Sequence, residues 1–282
     1  MTQRTSLASP LKTPGGKRWL IPTLERLYAP HRTRRLVEPF CGGMSVALGL
    51  RPERALLADA NPHLITFWRR LRDPAPFVVE MIHERARYDQ ARRDFNTMVS
   101  TAGQRFDPLV GELFYYLNRS CFNGVIRVNR AGEFNVPFGR YKTVTYRRDF
   151  SEYVPVLKAW EIRYLDFRLL KIAPDDFVYL DPPYDAGFTQ YTAEGFDWED
   201  QVALAERFAE HTGPVVASNA ATDWVLKLYH RLGFHITIID GPRSVSRNGA
   251  GRQPAKEMLA TKNLDYLAPG ALEGQIAMVE VL

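Results

Sequence analysis

Seven apolar runs of strand length punctuate this chain: RLVEPF (35–40), ALLAD (55–59), WEIRYLDF (160–167), FVYLD (177–181), PVVAS (214–218), HITIID (235–240) and IAMVEVL (276–282). Several are continuous rather than alternating, which predicts strands covered on both faces, because a strand with one wet face alternates apolar and polar residues. Helical patterns follow the first two runs, at 43–50 and 61–71, and flank the PVVAS run, at 197–211 and 222–232. Strand and helix in alternation predict a doubly wound α/β sheet. A long polar stretch without a helical pattern separates the last two runs, so the sheet is expected to end in an antiparallel pair.

The alternation breaks between about 72 and 155. Helical patterns run through 76–99 and 108–120, then comes a loop rich in Gly and Asn, then a basic and aromatic segment. This reads as an insertion that divides the chain into 1–71, 72–155 and 156–282. From Arg119 to Arg148 there are seven basic residues (Arg119, Arg127, Arg130, Arg140, Lys142, Arg147 and Arg148) against one acid, Glu133, more than the net +5 of the whole chain. Such local density suits a polyanion, although a basic run by itself is more often a solvated face. No apolar stretch reaches the eighteen or so residues of a membrane span, and the N-terminus lacks a secretory h-region, so a cytoplasmic protein is expected. Cys41 and Cys121 stand far apart without metal-ligand spacing and read as free thiols. The loop SRNGAGRQPAK (246–256) reads as a mobile polar connection.

Three short segments carry chemistry. In VEPFCGGMS (37–45) a strand and an acid run into paired glycines that open a helix, a turn where small residues let the backbone approach a nucleotide or nucleoside, or simply a strand-to-helix turn. Asp59 ends the next strand run about twenty residues on, placed to accept hydrogen bonds from ribose hydroxyls or, with Asn61, to cap the following helix. In LDPPY (180–184) the prolines at 182 and 183 lack N–H groups and cannot extend a ladder. The Pro182 carbonyl beside Asp181 then makes two adjacent acceptors next to the aromatic face of Tyr184, a set suited to a planar exocyclic amine.

With EPFCGG upstream, DPPY resembles the Dam-type N6-adenine DNA methyltransferases. Further segments are similar to that family in the same order: LKTPGGK (11–17) to its N-terminal Gly-Gly-Lys motif, LLADANPHLITFW (56–68) to its ribose-binding segment, and CFNGVIRVNRAGEFNVPFGRY (121–141) to its DNA-reading hairpin. SNAATDWVLKLY and SVSRNGAGRQPAKEMLATKN follow its late segments. Two positions depart from the family pattern. Met44 stands where the last glycine of Phe-x-Gly-x-Gly is usual, and Thr13 where many members carry an aromatic.

The resemblance implies a Rossmann-like S-adenosylmethionine-dependent methyltransferase sheet with an inserted, mainly helical target-recognition domain and a DNA-reading β-hairpin. It implies transfer of a methyl group from S-adenosylmethionine to N6 of a flipped-out adenine in double-stranded DNA, within GATC, by a monomer. Asp181, Pro182, Pro183 and Tyr184 are the implied catalytic set, with Tyr184 stacking on the base. On the cofactor side stand Thr13, Lys17, Glu38, Phe40, Gly42, Asp59, Phe167 (as the stacking partner of the cofactor adenine) and Asp181. On the DNA side stand Phe122, Asn123, Val125, Arg127, Asn129, Arg130, Pro137, Arg140 and Lys142, with Arg127 suited to guanine O6 and N7 and the other cations to phosphate. Competing expectations are a methyltransferase for RNA bases or protein glutamine, and a catalytically silent DNA-binding relative.

Overall fold

A single sheet in the order β3-β2-β1-β4-β5-β7-β6-β8 organises the molecule. Its strands are β1 (Leu36–Glu38), β2 (Ala55–Asp59), β3 (Glu161–Tyr164), β4 (Phe177–Leu180), β5 (Val215–Ala220), β6 (His235–Asp240), β7 (Lys256–Lys262) and β8 (Ile276–Ala277). The structure, a computed structural model, describes residues 7–13, 15–129, 132–184, 196–241, 256–264 and 276–277. The first five strands in the order are parallel. The continuous apolar runs are explained by burial on both faces. Leu36, Leu57, Phe177, Tyr179 and Val216 point into one core, while Val37, Leu56, Ala58, Val178, Leu180 and Val215 point into the other.

Helices α1 (Ile21–Tyr28), α2 (Ser45–Leu50), α3 (Pro62–Arg70), α4 (Arg85–Ser100), α5 (Pro108–Ser120) and α6 (Val154–Ala159) contribute to the first core. Helices α7 (Trp198–Ala209) and α8 (Asp223–Arg231) cover the second, through Leu204, Phe208, Val225 and Tyr229. Among the described residues no helix is long and apolar enough to cross a membrane. Cys41 and Cys121 are buried free thiols.

Two elements differ from the sequence reading. Of the stretch 246–256, which reads as loop, residues 246–255 lie outside the described residues; its last residue, Lys256, begins β7, which inserts antiparallel between β5 and β6. The expected antiparallel pair at the end of the sheet is β6 with β8, in the register Ile238↔Ala277; of the predicted strand 276–282, residues 278–282 lie outside the described residues. The helical pattern from 76 becomes helix only at Arg85. Residues 73–79 instead form a strap whose backbone groups bond to the side chains of Arg70 and Glu112, partners a helix would have replaced.

Within 72–155, α5 crosses α3 so closely that a Cβ on Gly111 would lie 3.0 Å from the Thr66 carbonyl. Beyond α5 the chain runs out and back as an irregular antiparallel hairpin, bridged at Cys121↔Phe138 and Val128↔Phe134. It is fastened to α4 by Asn96, which bonds both backbone groups of Phe134, and by the Tyr88 hydroxyl donating to the Val136 carbonyl at 2.7 Å.

Candidate active site and nucleic-acid interface

The carboxyl ends of β1, β2 and β4 converge, and the site is built there, where ligands of open α/β sheets bind. After Glu38 the chain makes a tight turn in which Gly42 and Met44 both adopt left-handed backbone, at φ 45° and φ 50°. Met44 therefore takes the conformation that suits glycine at this family position. For an L-residue this costs about 1–2 kcal/mol, and full burial of the Met44 side chain, worth about 1.5–3 kcal/mol, offsets it. Gly43 could not be replaced as easily, because a Cβ there would come within 2.7 Å of the Thr13 side chain. The N-terminal Gly-Gly-Lys segment thus lies directly against the glycine turn.

Asp59 fastens this turn from the tip of β2. Its Oδ2 accepts from the Gly42 amide and its Oδ1 from the Asn61 amide, each at 2.8 Å. Helix α3 is capped by Asn61, whose Oδ1 accepts from the amides of His63 and Leu64, so Asp59 does not serve as the cap. Burial pushes the Asp59 carboxyl up to about 6 despite both amide donors. Glu38 is buried at the end of β1, and its Oε1 meets no hydrogen-bond donor among the described residues. Burial, with the nearby Asp181 charge, pushes it up to about 8.

At the tip of β4, Asp181 Oδ1 accepts from Ser218 Oγ at 3.0 Å and pairs with the buried Lys17 ammonium at 3.2 Å. Among the described residues Oδ2 receives no hydrogen bond, and neither does the Pro182 carbonyl, whereas the Pro183 carbonyl is taken by Gln201 Nε2 at 2.8 Å. Burial raises the Asp181 carboxyl, and Lys17 and Ser218 pull against it. The Lys17 Nζ also lies 4.4 Å above the Tyr184 ring and donates to the Gly15 carbonyl. Tyr184 donates its hydroxyl to Glu257 Oε2 at 2.7 Å, and that oxygen is 3.7 Å from Lys17.

Sequence reasoning missed Ser218, Gln201 and Glu257. Ser218 closes a recognised strand run, but its partners Asp181 and the Tyr179 hydroxyl are set by strand order. Glu257 was hidden because β7 was read as the edge of a loop. The available signal was the apolar Met258–Leu259–Ala260 run behind it, which is wholly buried.

The proposed stacking ring, Phe167, is covered. It is only 3% exposed and packs on Phe40 at 5.6 Å and Phe196 at 6.1 Å, which are the two half-buried rings of the trio.

On the hairpin, Phe122, Asn123, Arg127, Pro137, Arg140 and Lys142 are exposed, while Val125 is half-buried against the core. Asn123 adopts φ 54° at the root. Arg127 Nε donates to Asn135 Oδ1 at 2.8 Å, which ties the exposed side chain across the hairpin. Asn129 is occupied in bonding Glu133, and Arg130 lies outside the described residues. Arg147, one of the cations expected at phosphate, is instead engaged by Glu152, the Asp149 carbonyl and the Tyr153 hydroxyl. The hairpin root also touches the catalytic segment. Asn118 Oδ1 accepts from the Lys12 amide, and its Nδ2 donates to the carbonyls of Lys12 and Gly124.

A glycine turn after β1, an acid at the tip of β2 and an acid with paired prolines and an aromatic at the tip of β4 define a group-transfer enzyme for a planar amine. Residues 14–245 match the family of D12 class N6 adenine-specific DNA methyltransferases. The chain is 37% identical over 272 residues to a DNA adenine methylase of Vibrio cholerae serotype O1, covering 89% of this chain and 94% of that protein. It is 33% identical over 280 residues to the DNA adenine methylase of Escherichia coli K12, covering 92% and 96%. It is also 32% identical over 269 residues to a type II methyltransferase of Lactococcus lactis subsp. cremoris, covering 89% and 93%. The chain belongs to the D12 class N6 adenine-specific DNA methyltransferases. It is accordingly an adenine-specific DNA methyltransferase, with DNA as its substrate, in a family whose general methyl donor is S-adenosylmethionine.

Proposed function

We propose that this enzyme methylates N6 of an adenine flipped out of duplex DNA, within GATC, as a monomer, with 72–155 acting as an inserted target-recognition domain. The observation that carries the reading is the pair of acceptors at the β4 tip, Asp181 Oδ2 and the Pro182 carbonyl, that receive no hydrogen bond among the described residues. Adenine N6 is a weak nucleophile because its lone pair is delocalised into the ring. Two acceptors on its N–H groups favour a tetrahedral nitrogen and stabilise the positive charge that grows as it attacks, an interaction stronger in the transition state than in the ground state. Lys17 and Ser218 hold Oδ1, so Oδ2 faces the base. That oxygen is also placed to take the proton N6 must release, and burial already favours the protonated acid. Extruding the base costs a few kcal/mol, and the Tyr184 ring receives it.

The donor set fits the cofactor. Glu38 offers a buried oxygen that meets no donor among the described residues, suited to an ammonium, and Asp59 offers anchored oxygens suited to ribose hydroxyls. At Gly42 there is open space where a side chain would stand. When bound, S-adenosylmethionine supplies an electrophilic methyl group on a sulfonium. Replacing Asp59 by alanine is expected to weaken cofactor binding about 10-fold or more, the loss of hydrogen bonds to a charged group, with DNA affinity kept. Calorimetric titration of both ligands checks it, and unchanged cofactor affinity would remove Asp59 from this role.

Site choice is assigned to the exposed hairpin cations. Arg127→Ala should lower discrimination at one base pair by roughly 1–3 kcal/mol without altering cofactor affinity, read from methylation rates on duplexes substituted base by base. A uniform loss on all sequences would instead make Arg127 a phosphate contact. Sequencing methylated DNA from a host expressing the wild type or Asp181→Ala tests the whole reading. Adenine methylation confined to a motif other than GATC refutes the site, and equal methylation in both strains refutes the catalytic assignment.

A further inference from the structure

Glu257 reaches the active site because of strand direction. β7 is antiparallel to its neighbours, so its amino end lies beside the carboxyl ends of the parallel strands, with Glu257 paired to Ala220 at the end of β5. A residue from the far end of the chain is thereby set against the DPPY tip. Its Oε2 accepts the Tyr184 hydroxyl at 2.7 Å and stands 3.7 Å from Lys17 Nζ, itself 4.4 Å above the same ring. The hydroxyl lies on the ring's own axis, so Glu257 fixes the far end of that axis, while Lys17 stands against one face of the ring.

We propose that Glu257 is a positioning residue of methyl transfer, which fixes where the Tyr184 ring lies relative to Asp181 and Pro182 by holding its hydroxyl. The inference rests on the reading of Tyr184 as the platform for the target base. The physical reason for such a device is geometric. N6 must sit at two acceptors and in line with the methyl group at once, and the ring plane determines the tilt of the purine. A ring free to swing at its hydroxyl end would still stack on the base, so DNA affinity would survive while the fraction of bound complexes in reacting geometry fell. Glu257 hydrogen-bonds neither acceptor; it acts through Tyr184 and Lys17, and its charge also pushes the Asp181 carboxyl up.

The test measures single-turnover methylation of a duplex carrying the cognate site, with DNA and cofactor affinities, for Glu257→Ala, Glu257→Gln, Tyr184→Phe and the double variant Tyr184→Phe/Glu257→Ala. Glu257→Ala and Tyr184→Phe should each slow the rate about 10- to 100-fold, the scale of a misplaced reacting group, with both affinities within about threefold. The double variant should be no slower than the worse single, because both remove one bond. Glu257→Gln, whose amide oxygen still accepts the hydroxyl, should recover most of the rate. A multiplicative double variant, a loss confined to affinity, or a wild-type rate in Tyr184→Phe overturns the proposal. The last outcome decides even if Glu257→Ala fails to fold. Tyr184→Ala separates the two levels. A wild-type rate there overturns the platform reading and this inference with it, whereas loss there with wild-type rates in Tyr184→Phe and Glu257→Ala overturns this inference alone.

Discussion

Asp181→Ala is expected to slow methyl transfer by about 10²–10³-fold, the scale for removing one pre-organised electrostatic partner, while leaving DNA binding nearly intact. The side chain contributes in two ways. In the proposed mechanism Oδ2, which receives no hydrogen bond among the described residues, is the acceptor for N6, and Oδ1 is the counter-charge of the buried Lys17. Alanine removes both, leaving Lys17 with Glu257 at 3.7 Å as its remaining carboxylate. Asp181→Asn keeps an acceptor but not the charge, and should fall between the two. The pH dependence has a definite sign. The proposed mechanism requires the carboxylate; burial, with the Glu257 charge, raises its pKa above the ordinary range, and Lys17 and Ser218 act in the lowering direction. The rate should therefore fall as pH drops through a value above that of an exposed aspartate. Lys17→Ala removes the largest lowering influence and should move that acid limb to higher pH. Single-turnover rates across pH for the three variants check this, and an acid limb unchanged in Lys17→Ala would detach it from Asp181.

How far the site was legible in the sequence depends on whether its parts are local. Asp181, Pro182 and Tyr184 are consecutive or nearly so, and Asp59 ends a recognisable strand; motif resemblance located all of them, and Lys17. What was hidden is created by strand order. Ser218 and Glu257 acquire their partners only because β5 lies beside β4 and β7 turns back beside β5. The sheet itself was legible because burial on both faces leaves continuous apolar runs. β7 escaped because its wholly buried Met258–Leu259–Ala260 run is short and follows a stretch rich in glycine and polar residues. Met44 shows the reverse case. The departure from glycine was plain in the sequence, but its compensation, a buried side chain on a left-handed residue, was visible only in three dimensions.

The misplaced helix over 76–84 leads to the largest expected effect on stability. The PFVVEMIHERARYDQARRDF pattern is amphipathic, yet Val78 and Val79 give their amides to Glu112 Oε2 at 2.6 and 3.0 Å instead of to a helix. The other oxygen, Oε1, pairs with the Arg70 guanidinium at 2.8–2.9 Å. Arg70 in turn donates to the carbonyls of Asp73, Ala75 and Pro76, so two buried side chains satisfy three carbonyls and two amides of the strap. Glu112→Ala leaves a buried guanidinium without its counter-charge and two amides without an acceptor. Such a loss costs about 3–5 kcal/mol, or a fall in melting temperature of roughly 6–20 °C at two to four degrees per kcal/mol. A buried ion pair is not in itself a strong net stabiliser, because desolvation consumes most of its attraction. Replacing both charges, in Arg70→Met/Glu112→Met, should therefore recover part of the loss relative to Glu112→Ala, but not the part owed to the strap, whose amides and carbonyls still lack partners. Urea unfolding of the two variants and the wild type separates the contributions. Full recovery in the double variant would mean that the pair answers only its own charges, and the strap would then need another reason not to be helix.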